Sequence, residues 1–405
     1  MVNVHHADSG LLEAGNVAML DADSDGGRGA DEDLPGDSGS SAGGDDSSSD
    51  VGGVETGGDA PSDPSVVDAW VVDVSRDVSS DPSLTDVGGD LPYDTSMVDA
   101  WALSMDSGGP GAGVAAPVLP SPRHEPAVFS DGESAYVAGG LDDKGTLLSQ
   151  IVRFTPSSAT MTVLPETLPT PSYAAGVAWT GTTAYLFGGI GPTGALRQIV
   201  RYVPASGATT VMSAQLPVAV YNVGTVWTGD AVYALGGQAA GVHLTQILKY
   251  DPATDTLSPL PTGLPVGIEA PAVFWDGNLV WVLGGKVDAA GSSGVATNVV
   301  QTFSPASGQA VQIGTIPYAV WDMPAFSDGK VFYVPGGSQT STTGYTSILR
   351  FDPATQVAST LGFSLPVRAA GRVGTWVASV GAGYICGGAD YATGKPSDKI
   401  VQVVP

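Results

Sequence analysis

From residue 111 onward, apolar residues fall in short runs that close on paired glycines. The runs are YVAGG at 136–140, YLFGG at 185–189, YALGG at 233–237, WVLGG at 281–285, YVPGG at 333–337 and YICGG at 384–388. An aromatic residue stands three positions before the first glycine every time: Tyr136, Tyr185, Tyr233, Trp281, Tyr333 and Tyr384. Runs of this length, patterned with a period of two, are strands and not helices. A second signature follows each run. It reads RFTP, RYVP, KYDP, TFSP, RFDP and QVVP, closing at Pro156, Pro204, Pro252, Pro305, Pro353 and Pro405.

Spacing between equivalent residues is close to 50, so six copies of one unit account for this part of the chain. Each unit predicts four strands. A small, apolar first strand such as AAGVAW at 174–179 turns through a short Gly-containing loop into the run that ends in Gly-Gly. A loop of variable length leads to the third strand, and a Pro-anchored turn leads to the fourth. Compact residues recur in the first strands at Ala127, Gly176, Gly224, Ala272, Pro324 and Thr375, as a crowded axis requires. The sixth unit stops at Pro405 without a fourth strand. GAGVAAPVL at 111–119 aligns with PSSATMTVL at 156–164, Leu119 matching Leu164, and is expected to complete that unit from the other end of the chain.

The apolar run into Gly-Gly, the aromatic at fixed distance and the Asp-Pro-like turn resemble the kelch repeat. The resemblance covers 111–405. The Trp usual in the family's fourth strand is replaced by residues such as Met161, Thr209 and Leu257. It implies an all-β fold, a six-bladed propeller of four-stranded blades. Some kelch-type propellers are copper oxidases that use a Tyr–Cys cross-link. The one cysteine, Cys386, lies beside its Gly-Gly and reads as core filling.

Charge divides the chain in two. Residues 1–110 hold 24 acidic and two basic side chains, out of a net charge of −26 for all 405 residues. Such a segment, rich in Asp, Ser and Gly, lacks the apolar surface needed to offset chain entropy. Residues 1–108 are therefore expected to be a disordered acidic linker, and 109–405 the propeller. SVVDAW at 65–70 and SMVDAW at 96–101 are apolar islands within it. Asp21, Asp23, Asp25, Gly26 and Glu32 have the spacing of a calcium loop, but no helices flank them and no calcium is expected to bind. The acidic balance argues against nucleic acid. No apolar run is long enough for a membrane span, and no secretory signal is visible at the start.

Candidate chemistry is sparse. No nucleophile elbow, P-loop or dinucleotide fingerprint occurs. The four histidines show no ligand spacing, and His243, in a loop after Gly-Gly, reads as exposed. No cofactor and no metal is expected. One register stands out. Sixteen residues before the second glycine of each pair lie His124, Tyr173, Tyr221, Glu269, Trp321 and Arg372, none of them aliphatic, with Glu125, Asn222, Asp322 and Arg368 close by. Equivalent positions in six blades form a ring around the axis, on the face that carries the long, varied loops. Aromatic rings with mixed donors and acceptors suit a protein or glycan ligand. The expected function is a non-catalytic binding propeller, a monomer, displayed in the cell envelope or secreted; the acidic segment resembles the linkers of bacterial surface lipoproteins. The alternative is a kelch-type carbohydrate enzyme such as a sugar-anomer epimerase, with Glu269 and His124 or Arg372 as acid and base.

Overall fold

The computed structural model describes residues 109–405 except 291–293, 341, 372 and 391–392. The acidic segment, with its apolar islands and its Asp21–Glu32 string, lies outside the described residues. The rest is a six-bladed β-propeller, with no α-helix among the described residues. Blade 1 consists of Ala127–Ser130, Ala135–Ala138, Gln150–Thr155 and Thr160–Thr167, from the axis outward. Blade 2 runs Gly176–Trp179, Ala184–Phe187, Gln198–Val203 and Ala208–Gln215, and blade 3 Gly224–Trp227, Val232–Leu235, Ile247–Asp251 and Thr256–Pro259. Blade 4 is Ala272–Trp275, Val280–Leu283, Val299–Ser304 and Gln309–Thr315, and blade 5 Phe326–Ser327, Phe332–Pro335, Ser347–Asp352 and Val357–Ser364. Blade 6 takes Val373–Val377, Ala382–Cys386 and Ile400–Val404 from the C-terminus and Gly111–Ala115 from the other end.

Burial explains the two kinds of strand pattern. Every second strand is buried along its whole length, because neighbouring blades cover both its faces, and so reads as an unbroken apolar run. Outer strands alternate between exposed and half-buried positions. The aromatic before Gly-Gly carries a polar tip. Tyr136 Oη donates to Asp131 at 2.9 Å, Trp281 Nε1 to Asp276 at 2.6 Å and Tyr333 Oη to Asp328 at 3.2 Å, each acceptor lying in the short turn before that strand. Cys386 is buried in the core of the sixth blade.

Paired glycines couple one blade to the next. The second glycine's N–H donates to a carbonyl of the segment that leads into the adjacent blade: Gly140 to Ser172, Gly189 to Val220, Gly237 to Ile268, Gly285 to Val320 and Gly388 to Arg123, all at 2.7–2.9 Å. The first glycine has φ near +60° and leaves room for that carbonyl; a Cβ on Gly188 would stand 2.1 Å from Val220 O.

Closure of the ring is the work of a few residues. Gly111–Ala115 pairs antiparallel with Ile400–Val404, four residues off the expected alignment, so Leu119 takes the place of Leu168 and not of Leu164, and it is buried in one cluster with Val128, Phe154 and Tyr384. Arg123, 0% exposed, joins blade 6 to blade 1: its N–H donates to Ser397 O and its carbonyl accepts from Gly388. Its guanidinium donates to Gly139 O at 2.9 Å, to Gln150 O at 3.0 Å and to Gln150 Oε1. Burial pulls its pKa down to about 10. Arg123→Met strands these buried carbonyls and is expected to cost about 2–4 kcal/mol in urea unfolding. A loss below about 0.5 kcal/mol contradicts a closing role.

Candidate functional site

The axis is built from six short steps, one per blade. Tyr173, Tyr221, Glu269 and Trp321 each form an isolated bridge with the residue that follows the Gly-Gly of their own blade: Ile190, Gln238, Lys286 and Ser338. His124 does the same with Leu141. The next residue in each blade turns into the left-handed region: Glu125, Ala174, Asn222, Ala270 and Asp322, with φ between +45° and +58°, and Gly371 in blade 6. These six close a hydrogen-bonded ring. Ala174 N donates to Glu125 O, Asn222 N to Ala174 O, Ala270 N to Asn222 O, Asp322 N to Ala270 O, and Glu125 N to Gly371 O. In the sixth link the Gly371 N–H donates to the Asp322 side chain.

Blade 6 departs from the count made on the sequence. Its inner hairpin pairs five residues instead of four, so its register is two residues longer. The residue bridged to Ala389, which follows Gly388, is Ala370. The compact position is likewise Val373, not Thr375. Arg372 itself lies outside the described residues. Arg368 is exposed, and among the described residues no hydrogen bond or ion pair ties it to the axis.

Polar side chains converge where the ring passes blades 3 and 4. Glu269, 3% exposed, accepts Asn222 Nδ2 at 2.8 Å on Oε1 and faces His243 Nε2 at 3.0 Å on Oε2. The Gln238 amide must turn its nitrogen toward Glu269, because the opposite orientation sets acceptor against acceptor; it then donates at 3.1 Å to Oε2. His243 is 4% exposed, not free in solvent as its loop position suggested. Its Nδ1 stands 2.8 Å from Asp288 Oδ1, off the hydrogen-bond direction. Gly294 packs on the imidazole, and a Cβ there would lie 2.4 Å from Cε1. Lys286, 8% exposed, holds its Nζ 4.9 Å from the centre of the Trp321 ring.

Burial governs the acids on the ring. It pushes Glu125 up to about 8, Glu269 adding to the shift while Asn222 and Lys286 oppose it. It pushes Asp322 up to about 7, Glu125 adding and His124 opposing. It lowers His124, whose ring packs on Gly371 and whose Nε2 lies 3.8 Å from Glu125 Oε1. Tyr173, Tyr221, Asn222 and Trp321 are half-buried.

His243, Gln238 and Lys286 were missed as site residues by sequence reasoning. A signal existed for two of them. Gln238 and Lys286 occupy the place directly after Gly-Gly, where the other blades carry Leu141, Ile190, Ser338 and Ala389. That place pairs with the ring register in every blade.

The class of molecule is thus a six-bladed β-propeller with a polar cluster at its axis. No family model matches the chain, and no curated protein matches it. Among solved structures it is similar to that of YjhT, with a TM-score of 0.59 at 17% identity, over 70% of this chain and 96% of that one. At that identity the likeness concerns the fold alone.

Proposed function

We propose that this chain is a kelch-type, non-catalytic binding propeller that recognises a glycan at the axial mouth of its variable-loop face, and that it works in the cell envelope or outside the cell. One observation carries the reading. Three side chains of blade 3, Asn222, Gln238 and His243, converge on the single carboxyl group of Glu269 from blade 4. A core needs no such arrangement for packing, whereas a fixed acceptor suits sugar hydroxyls. Half-buried Trp321, Tyr173 and Tyr221 add faces on which a pyranose ring stacks. The acidic segment is consistent with a linker that holds the propeller away from a surface.

The full chain on a glycan array, followed by titration of the ligands found, tests this. Trp321→Ala is expected to weaken binding by about 30-fold or more. Glu133→Ala, exposed in a short turn of the opposite face, is the control. Equal affinity for both variants rejects the site. A second reading, a sugar-anomer epimerase, is favoured by two carboxyl groups at the axis, Glu125 and Glu269, whose charges interact. Acceleration of anomer exchange that disappears in Glu269→Gln puts that reading in place of the first.

A further inference from the structure

Beneath the hydrogen-bonded ring the axis is hollow. The cavity measures about 210 Å³, room for about seven water molecules. Its walls are the small apolar side chains of the inner strands, among them Val128, Val177, Val223, Val273, Ala325 and Val373. Glu125, Asn222 and Asp322, contributed by alternate blades, line it at the level of the ring; Ala174, Ala270 and Gly371 stand between them.

We propose that this channel binds a small organic ammonium ion, its head between Glu125 and Asp322 and its apolar tail along the valine-lined wall. The proposal goes beyond glycan recognition at the mouth and rests on none of it. Asp322 is more than nine-tenths buried, and only one of its carboxyl oxygens is served. Oδ2 receives the Gly371 N–H, while Oδ1 receives no hydrogen bond among the described residues, and Asp322 lines the cavity. Glu125 faces a single amide donor, Asn222, which Glu269 shares. A buried carboxyl oxygen without a donor is satisfied by a proton or by a cation that donates to it in the proton's place.

The surrounding charges leave that demand open. Glu125, Glu269 and Asp322 are three acids, and Lys286 is the lysine among them, with His124 and His243 at the sides. Lys286 is directed onto Trp321. Burial keeps Glu125 and Asp322 in the acid form toward neutrality, so an incoming ammonium displaces a proton. The apolar wall selects against a bare metal ion or a polyamine, each of which leaves charge against hydrocarbon. An anion meets the wrong sign.

The test uses the full chain, titrated with n-butylammonium chloride in about 0.15 M NaCl to screen the acidic segment. n-Butanol is the neutral isostere. Contacts are read as intermolecular NOEs to the Val177 and Val273 methyl groups, and proton release by calorimetry in two buffers of different ionisation enthalpy. The expected result is NOEs to those methyls, release of protons, and affinity that rises about tenfold from pH 6 to pH 8. n-Butanol is expected to bind about tenfold or more weakly, and Asp322→Asn and Glu125→Gln each to weaken the ammonium about tenfold. Both substitutions remove a buried ionisable group and keep its shape, so the fold is retained. Equal binding of n-butanol overturns the proposal. So does affinity indifferent to both substitutions, or heat without NOEs to the channel. Loss of the mouth ligand through Trp321→Ala leaves all these readouts untouched, so the two readings fail separately.

Discussion

Replacing Glu125 by Gln stabilises the propeller at pH 8 and not at pH 5. Glu125 has an ordinary value of 4.5 and is pushed up to about 8 in the fold; Asp322 rises from 3.8 to about 7. The folded chain therefore keeps protons that the unfolded chain has released. Unfolding gives up protons between about pH 4 and pH 8, and stability falls with rising pH across that window. Below about pH 4 both states are protonated and nothing is lost. Each pKa unit corresponds to about 1.4 kcal/mol. The two groups repel one another, so their effects do not simply add. A combined loss on the order of 5 kcal/mol by pH 8 is the expected scale. Glu125→Gln keeps the protonated shape at every pH. Its urea midpoint should exceed the parent's by the equivalent of about 2–4 kcal/mol at pH 8 and agree with it at pH 5. Asp322→Asn should behave likewise, with its gain setting in about one pH unit lower. The rest of the charge is common to parent and variant and cancels in the comparison. Parallel stability curves between pH 5 and pH 8 show that these acids are not held protonated by the fold.

The contrast between what was legible and what was not follows from distance along the chain. Gly-Gly and the aromatic before it are local signals, because a strand end and a short turn lie within a few residues: Trp281 finds Asp276 five positions away. The propeller was therefore readable from one repeat multiplied by six. Register in blade 6 was not, since one additional residue pair in its hairpin moves the axial position from a count of sixteen to Ala370 without altering the Gly-Gly signature. His243 was read as exposed because its surroundings come from elsewhere. Glu269 and Asp288 belong to the next blade, 26 and 45 residues on. The axial acids share this origin. Glu269 raises the cost of ionising Glu125 only after the ring, with two blades between them, brings the two together. A pattern of period two carries no record of that encounter. It does record that the ring positions are polar, which is why Glu269, Asn222 and Asp322 were found while Gln238, His243 and Lys286 were not.

Cutting the strand Gly111–Ala115 from the propeller is expected to have the largest effect of any single change. In a circular fold the last blade has two neighbours but must find its fourth strand, and here that strand comes from 285 residues earlier in the chain, Ala115 pairing with Ile400. Five residue pairs, from Gly111 with Val404 to Ala115 with Ile400, form the contact. Leu119, 2% exposed, follows it into the core beside Val128, Phe154 and Tyr384 and donates its N–H to Asp398 O at 2.7 Å. Burial of Leu119 is worth about 2–3 kcal/mol and each ladder hydrogen bond about 1 kcal/mol net. After the entropy of ordering the strand is subtracted, about 5 kcal/mol remains, comparable with the whole stability of many domains. A chain starting at residue 120 is compared with one starting at residue 109 by thermal and urea unfolding. The shorter chain should melt well below the longer one and expose Ile400–Val404 as a free edge, prone to pair with other chains. A synthetic peptide spanning 109–120, added in excess, should restore part of the loss, because the strand is held by pairing and not by its covalent link to Arg123. Equal melting of the two chains shows that the blade holds together with three strands, and that the pairing of Gly111–Ala115 is incidental to closure.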